Sequence, residues 1–318
     1  PLSTLPTRQL AKPQRGFGPL FISESMTMDK IQNNAMLLTA TITKFSNTRR
    51  DNGMADELTV AKKASANVIK VTKTLFASPI IKSLNKAHGQ LRNHTLNFNT
   101  LPWDDGERLI PVESIEGFET AWVTKTDYID DLKRELVREY PNMLKRAAKD
   151  LGDAFDMGDY PTAEEILDKY SATYALKKLP EAGDLRVNLP ADKLQKIKDS
   201  IEADVTSRVE AATESVHERV VDTLQALIDG LERHGEKAAG AKRASKFTDN
   251  TVEKIEELAA VLPSLNITGD PKLTQAGNAL LTKLADLDPA KLRESKTERK
   301  AVATTAKSIV DNLTGLWD

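Results

Sequence analysis

The chain contains no cysteine among its 318 residues, which excludes disulfides, thiolate-held zinc or iron–sulfur centres and thiol nucleophiles, and which fits a reducing compartment. Long apolar runs are missing as well: nowhere do about 18 apolar residues follow one another, so no segment reads as a membrane-spanning helix. Neither sign of charge is in excess, because 45 Lys and Arg stand against 47 Asp and Glu for a net charge of -2. This rules out a polybasic nucleic-acid coat and an acidic tail-like protein, and leaves any electrostatic partner to be read by a local patch. The marks of the common catalytic classes are absent too. There is no glycine-rich phosphate loop ending in Lys-Ser/Thr, no pair of histidines at helical spacing around a glutamate, and no Gly-x-Ser-x-Gly elbow. The expectation is a protein that is not an enzyme and needs no cofactor.

What the chain does contain divides it into three stretches. Residues 1–25 hold Pro1, Pro6, Pro13 and Pro19 with Gly16 and Gly18, which forbids regular helix and reads as an extended arm. Residues 26–189 read as a mixed α+β domain. Leu38, Ala40 and Ile42 alternate with Thr39, Thr41 and Thr43 in the period of a half-buried strand. A helix is expected from about Ala55 to Ala77, on the stripe Val60, Ala64, Val68, Val71 and Leu75, and a second from Pro79 to about Asn93. Pro102 to Gly106 signals a hairpin turn into Leu109–Val112, where Pro111 points to an edge strand. Residues 124–158 read as a helix capped by Thr126 or Asp127 with a kink or restart at Pro141, and a short helix follows Pro161, with two early glutamates at its start. Strands within Tyr174–Leu189 are expected to pair with Leu38–Ile42.

From residue 190 to 318 the pattern is that of an elongated antiparallel helical bundle. Leu194, Ile197, Ile201, Val205, Val209, Ala212, Val216, Val220, Leu224, Leu227 and Leu231 form one apolar stripe, recurring after eleven residues, as in a single nearly straight helix of about 44 residues. Gly235–Ser245 reads as a turn or linker. Helices over about 248–262, 272–286 and 289–316 follow, separated at Leu262-Pro263 and Asp270-Pro271. The fold class is therefore mainly α, with a small sheet in the N-terminal domain.

Charge is distributed unevenly along the chain. Residues 41–100 carry ten basic and three acidic side chains, a net of +7, whereas residues 107–170 carry nine basic and sixteen acidic, a net of -7. On the helix expected after Ala55, Lys62, Lys63, Lys70 and Lys73 would share one face beside Arg49 and Arg50. These six are the candidate nucleic-acid-binding residues, with Phe45 or Trp103 as stacking partners for a single strand. The competing reading is that the basic segment lies against the acidic one, in the same or a neighbouring subunit. The cluster Lys291, Arg293, Lys296, Arg299 and Lys300 reads as a solvated face. Acidic groups at Asp104-Asp105, Asp127 with Asp130 and Asp131, and Asp153 with Asp156 and Asp159 lack the spacing of a calcium loop, and no metal site is expected. His88, His94, His217 and His234 are expected at the surface.

One resemblance is carried by a series of signposts: Arg49-Arg50 at the end of a strand, Leu101-Pro-Trp-Asp-Asp-Gly-Glu-Arg-Leu-Ile110, Tyr140-Pro141, Asp159-Tyr160-Pro161, Gly183-Asp-Leu-Arg-Val187 and Leu262-Pro263-Ser-Leu-Asn266. In this order they resemble a phage- and plasmid-encoded family of uncharacterised helical proteins. Members are often encoded near MoxR-type AAA+ ATPases and von Willebrand-type domain proteins, and the resemblance implies an adaptor or substrate role in an ATPase-driven assembly. The expected function is that of an oligomer-forming assembly protein of a phage or mobile element, joined through the N-terminal arm and the long helix. The alternatives are a single-stranded DNA-binding or annealing protein using the basic 44–92 region, and a virion structural component. The opening Pro1–Pro6 has no charged stretch leading into an apolar one, so a cytoplasmic protein without a signal peptide is expected, in the host cell if phage-encoded.

Overall fold

The alternation of apolar side chains with threonines forms a strand, β1 (Ala35–Ile42), in a computed structural model that describes Ile31 and residues 33–180, 190–235 and 247–315. The expected arm over residues 1–25, the Gly183–Val187 signpost and the linker beyond Gly235 lie outside the described residues. The chain divides into two compact units, one spanning Met36–Leu179 and one containing the residues from Pro180 onward. In the first unit β1 is followed by β2 (Thr48–Arg50), α1 (Asn52–Ala61), β3 (Thr72–Thr74), α2 (Pro79–Gln90), β4 (Leu101–Asp104), β5 (Glu107–Pro111), α3 (Ile115–Leu151), α4 (Ala163–Asp168) and β6 (Ala172–Lys177).

Four of these strands form one sheet in the order β4-β5-β1-β6, and β2 pairs with β3 in a separate two-stranded ribbon. β6 lies antiparallel to β1 with Leu38 opposite Leu176 and Ala40 opposite Tyr174, which is the pairing expected of this segment. The hairpin between β4 and β5 turns through Asp105 and Gly106, and Gly106 sits at a φ of +80° that favours glycine. Pro111 does not make β5 an edge strand, because it is the last residue of a strand that lies between β4 and β1. At that position a missing N–H interrupts no ladder. The core gathers Leu38, Ile81, Leu84, Leu91, Ile110, Phe118, Leu136, Ile166 and Tyr170. α3 begins at Ile115, well before the expected cap at Thr126 or Asp127, because Phe118 and Trp122 extend its buried stripe backwards. Thr126 donates its hydroxyl back to the carbonyls of Trp122 and Val123 instead of capping. Pro141 is carried inside the helix, with Leu136 and Met143 buried on either side of it. α4 starts on a capping box in which Thr162 and Glu165 each accept the other's backbone N–H.

Two histidines expected at the surface are interior. His88, on α2, is 2% exposed and stacks against Tyr170 with ring centroids 5.1 Å apart. Neither of its ring nitrogens has a hydrogen-bond partner. Burial, with the charges of Lys133 and Lys44 adding to it, holds its pKa down at about 4 against an ordinary 6.5. The ring is therefore neutral at physiological pH, and it packs as an aromatic side chain.

The second unit is built on α5 (Ala191–Glu232), followed by α6 (Asp249–Leu265), α7 (Pro271–Lys283), α8 (Pro289–Glu294) and α9 (Lys296–Thr314). α5 spans 42 residues, which is roughly 63 Å of helix. It packs against α6 and α9, and α7 packs against α6 and α9, to form a helical bundle. The apolar stripe of α5 is buried from Val205 to Leu231, whereas Leu194 and Ile201 are half-buried and Ile197 is 37% exposed. The expected break at Leu262-Pro263 does not occur. α6 runs through Pro263 because Leu262 and Leu265 both lie in the core, and it stops at Asn266. The break before Pro271 is real and is made by Asp270, whose Oδ1 accepts from the N–H groups of Lys272 and Leu273 at the start of α7. Its Oδ2 lies 3.0 Å from Nε2 of His217, the second interior histidine, 3% exposed midway along α5.

These interior groups generate two predictions. Unfolded chains protonate His88 below about pH 6.5 and the folded protein does so only near 4, so the stability that the neutral ring contributes is complete above 6.5 and lost as pH falls between these values. The loss amounts to about 3 kcal/mol, and His88→Leu is expected to flatten the dependence of the urea midpoint on pH across that window. Equal slopes for the two proteins would show that His88 takes up its proton in the folded state. Asp270→Ala removes a cap and a buried partner at once, and is expected to cost about 3 kcal/mol in denaturant unfolding. Two residues further on, Lys272 is exposed, and Lys272→Ala should cost less than about 0.5 kcal/mol in the same measurement.

Candidate binding surface

The helix expected over residues 55–77, which would have placed four lysines on one face, is replaced by a strand, helix and strand excursion. α1 ends at Ala61 with Lys62 as its C-cap, Lys63 and Asn67 take positive φ values of 51° and 66°, and Thr72–Thr74 return to the ribbon as β3. The reason is local. Val68, Ile69, Val71, Thr72 and Thr74 are β-branched and favour extended backbone, and the Ala64–Asn67 stretch offers no bulky apolar side chain to hold a helix together.

The base of this excursion is fixed by charge. Lys73, directly opposite Arg49 in the ribbon, is 8% exposed and places its Nζ 2.6 Å from Asp159 Oδ2, 3.3 Å from Asp51 Oδ2 and 2.8 Å from the carbonyl of Ala154, to which it donates. Arg49 reaches the same carboxylate, its Nε lying 3.0 Å from Asp159 Oδ1. The bond to Asp159, and then that to Asp51, hold the Lys73 ammonium above its ordinary pKa. Asp51 is held below the ordinary carboxylate value, first by the N–H of Met54, which it caps at the start of α1. Around this knot Asn47 pairs both ways with the backbone of Phe76, and Tyr160 donates to the carbonyl of Leu75. The basic segment and the acidic segment therefore meet within this unit at Arg49, Lys73 and Asp159.

Beyond the knot, the flap from Arg50 to Val71 is largely exposed. Ala55 is the one buried residue of α1. Arg50, Lys62, Lys63 and Lys70 are exposed, and with them stand Met54 and Leu58, each 40% exposed, Val60 at 79% and Val68 at 69%. Of the six candidate nucleic-acid contacts, Arg50, Lys62, Lys63 and Lys70 are thus exposed, Arg49 is exposed but engaged by Asp159, and Lys73 is buried against the same carboxylate. Phe45 is buried and cannot stack on a base, and Trp103 is half-buried within β4. The sequence places Asp159 in an acidic group and a signpost, but its separation from the ribbon along the chain leaves no periodic signal that pairs it with Lys73 and Arg49. Asp51 does not read as a cap either, because the helix is expected to begin only at about Ala55.

The acidic segment has an exposed counterpart to the flap. Along the first half of α3 and the turn before it, Val112, Val123 and Tyr128 are 45%, 56% and 48% exposed. Glu113, Glu116, Asp127, Asp130 and Asp131 are exposed among them, with Asp130 and Asp131 paired to Lys133 and Arg134.

Removal of the central amine leaves two carboxylates facing each other at the base of the flap. Lys73→Met is expected to cost about 3 kcal/mol and to speed tryptic cleavage after Lys62 and Lys63 several-fold. Unchanged cleavage would show that the flap is held by its backbone ladder alone. Comparison with protein-family models, curated proteins and solved structures finds no match for this chain, so the likeness to phage- and plasmid-encoded helical proteins rests on its sequence signposts.

Proposed function

We propose that this chain is a non-enzymatic assembly protein that associates with further copies of itself, the flap of one copy docking on the acidic first half of α3 in the next. The observation that carries this reading is the exposure of Val60 at 79% and Val68 at 69% on a flap whose base is fixed by buried charge. Apolar side chains on an ordered, well-anchored projection are stabilised when a partner covers them. The exposed cations of the flap favour a partner of opposite sign, and Val112, Val123 and Tyr128 lie among carboxylates on this same chain. Because the two surfaces differ, the contact is heterologous and generates a ring or an open filament. In a phage or mobile element such an assembly serves as a virion component, or as the adaptor or substrate of an AAA+ ATPase.

The same four exposed cations also favour a second reading, in which Arg50, Lys62, Lys63 and Lys70 track the backbone of a single DNA strand. Light scattering separates the two. The wild-type protein is expected to exceed the mass of one 35.1 kDa chain, falling to that mass when Lys62, Lys63 and Lys70 are changed to Glu. The variant Asp127→Lys with Asp131→Lys is expected to do the same, and an equimolar mixture of the two variants to recover the assembly, the reversed charge pair at one contact alternating with the native pair at the next. A wild-type protein that stays monomeric at tens of micromolar overturns the assembly reading. If the lysine variant instead loses only its affinity for an oligothymidylate, the strand-binding reading takes its place.

A further inference from the structure

At the end of the long helix, a cleft of about 680 Å³ opens between the C-terminal turn of α5 and the outer face of α9. Its lining combines Glu232 and His234 with Lys296, Arg299, Lys300 and Lys307. Glu232, the one carboxylate among the described lining residues, is taken by Lys307 at 2.6 Å. Arg299 donates from Nη1 to the carbonyls of Leu292 and Arg293, at 2.9 and 3.1 Å, which fixes the plane of its guanidinium. His234 accepts the N–H of Phe247 at Nδ1, so the neutral ring carries its proton on Nε2 and is a donor there. Lys296 and Lys300 are one turn apart on the same face of α9, both exposed, and neither has an ion pair among the described residues. The cleft is thus rich in donors, and its anionic acceptor is already occupied.

We propose that this cleft binds a chain of phosphate groups. Lys296, Lys300 and the remaining donors of Arg299 offer more than a single carboxylate or phosphate takes up, whereas an oligophosphate can meet them in succession. Among the described residues the lining offers no Phe, Tyr or Trp on which a base could stack, so recognition is of phosphate and not of base. Free oligophosphates and nucleic-acid strands share this chemistry. The site is separate from the flap, and it stands whether or not the assembly reading holds.

The test is titration calorimetry of the full chain with tripolyphosphate, ATP and an oligothymidylate across a salt series. Binding is expected to weaken steeply with salt, with ATP and tripolyphosphate alike in affinity. Lys296→Ala and Lys300→Ala are each expected to lower affinity about tenfold, Lys300→Arg to retain it, and Lys193→Glu, in the exposed first turn of α5, to leave it unchanged. Unaltered circular dichroism of the variants confirms that the fold is intact. Tighter binding of tripolyphosphate than of the oligothymidylate identifies a free oligophosphate, and the reverse order identifies a strand. No binding of any of the three at low salt, or binding that survives the Lys296→Ala, Lys300→Ala pair, overturns the proposal.

Discussion

A single buried ammonium, that of Lys73, sets what the first unit can present to a partner. Its three oxygen neighbours come from three places in the chain: Asp51 at the cap of α1, Ala154 just after α3, and Asp159 before α4. An amine that has lost most of its water must recover that solvation from the protein, and here it does so by drawing the ends of the flap onto the segment that follows the longest helix of the unit. The β2–β3 ribbon is only three residues on each strand, too short to hold itself in water. Its register is therefore fixed by the charges and by the Asn47 side-chain amide, which pairs both ways with the backbone of Phe76, and these hold the base of the flap.

The same interaction changes the meaning of the charge asymmetry read from the sequence. A count of +7 over residues 41–100 treats all cations as equivalent, but the fold divides them into two kinds. Lys73 and Arg49 are structural, engaged by Asp159, and Arg92 donates to the carbonyl of Ile42. Arg50, Lys62, Lys63 and Lys70 stay in water. Internal compensation thus describes the ribbon, while the cations of the flap are exposed.

The legible parts of the sequence are those where one local preference dominates. β1 was visible because apolar residues alternate with threonine, α4 because Pro161 and two early glutamates mark its start, and α5 because eleven successive stripe positions keep a single period. The failures have a common cause. Residues 55–77 carry apolar residues at helical spacing, yet β-branched side chains after Val68 prefer extended backbone, and the ribbon pairing decides between the two. Pro263 looked like a break, yet burial of Leu262 and Leu265 holds its helix together across the proline. His88 and His217 looked like surface residues because polarity alone places them there. Their burial is set by Tyr170 and Asp270, which are remote in sequence.

The periodicity of α5 marks which side of the helix is apolar and carries no information about how far along that side is covered. Val205 to Leu231 are buried by the bundle, while Leu194, Ile197 and Ile201 continue the same stripe with partial exposure. A flat stripe of period 3.67 is an ordered apolar surface wherever it is uncovered, so the first turns of α5 and the flap around Val60 and Val68 are alike in kind. They differ in what surrounds the apolar residues. The flap has a cationic rim of Arg50, Lys62, Lys63 and Lys70. At the far end of α5 the surface turns polar, and the cations of α9 stand beside a carboxylate that Lys307 has already neutralised. Along one helix the chain thus passes from a partly exposed apolar face to a donor-rich cleft.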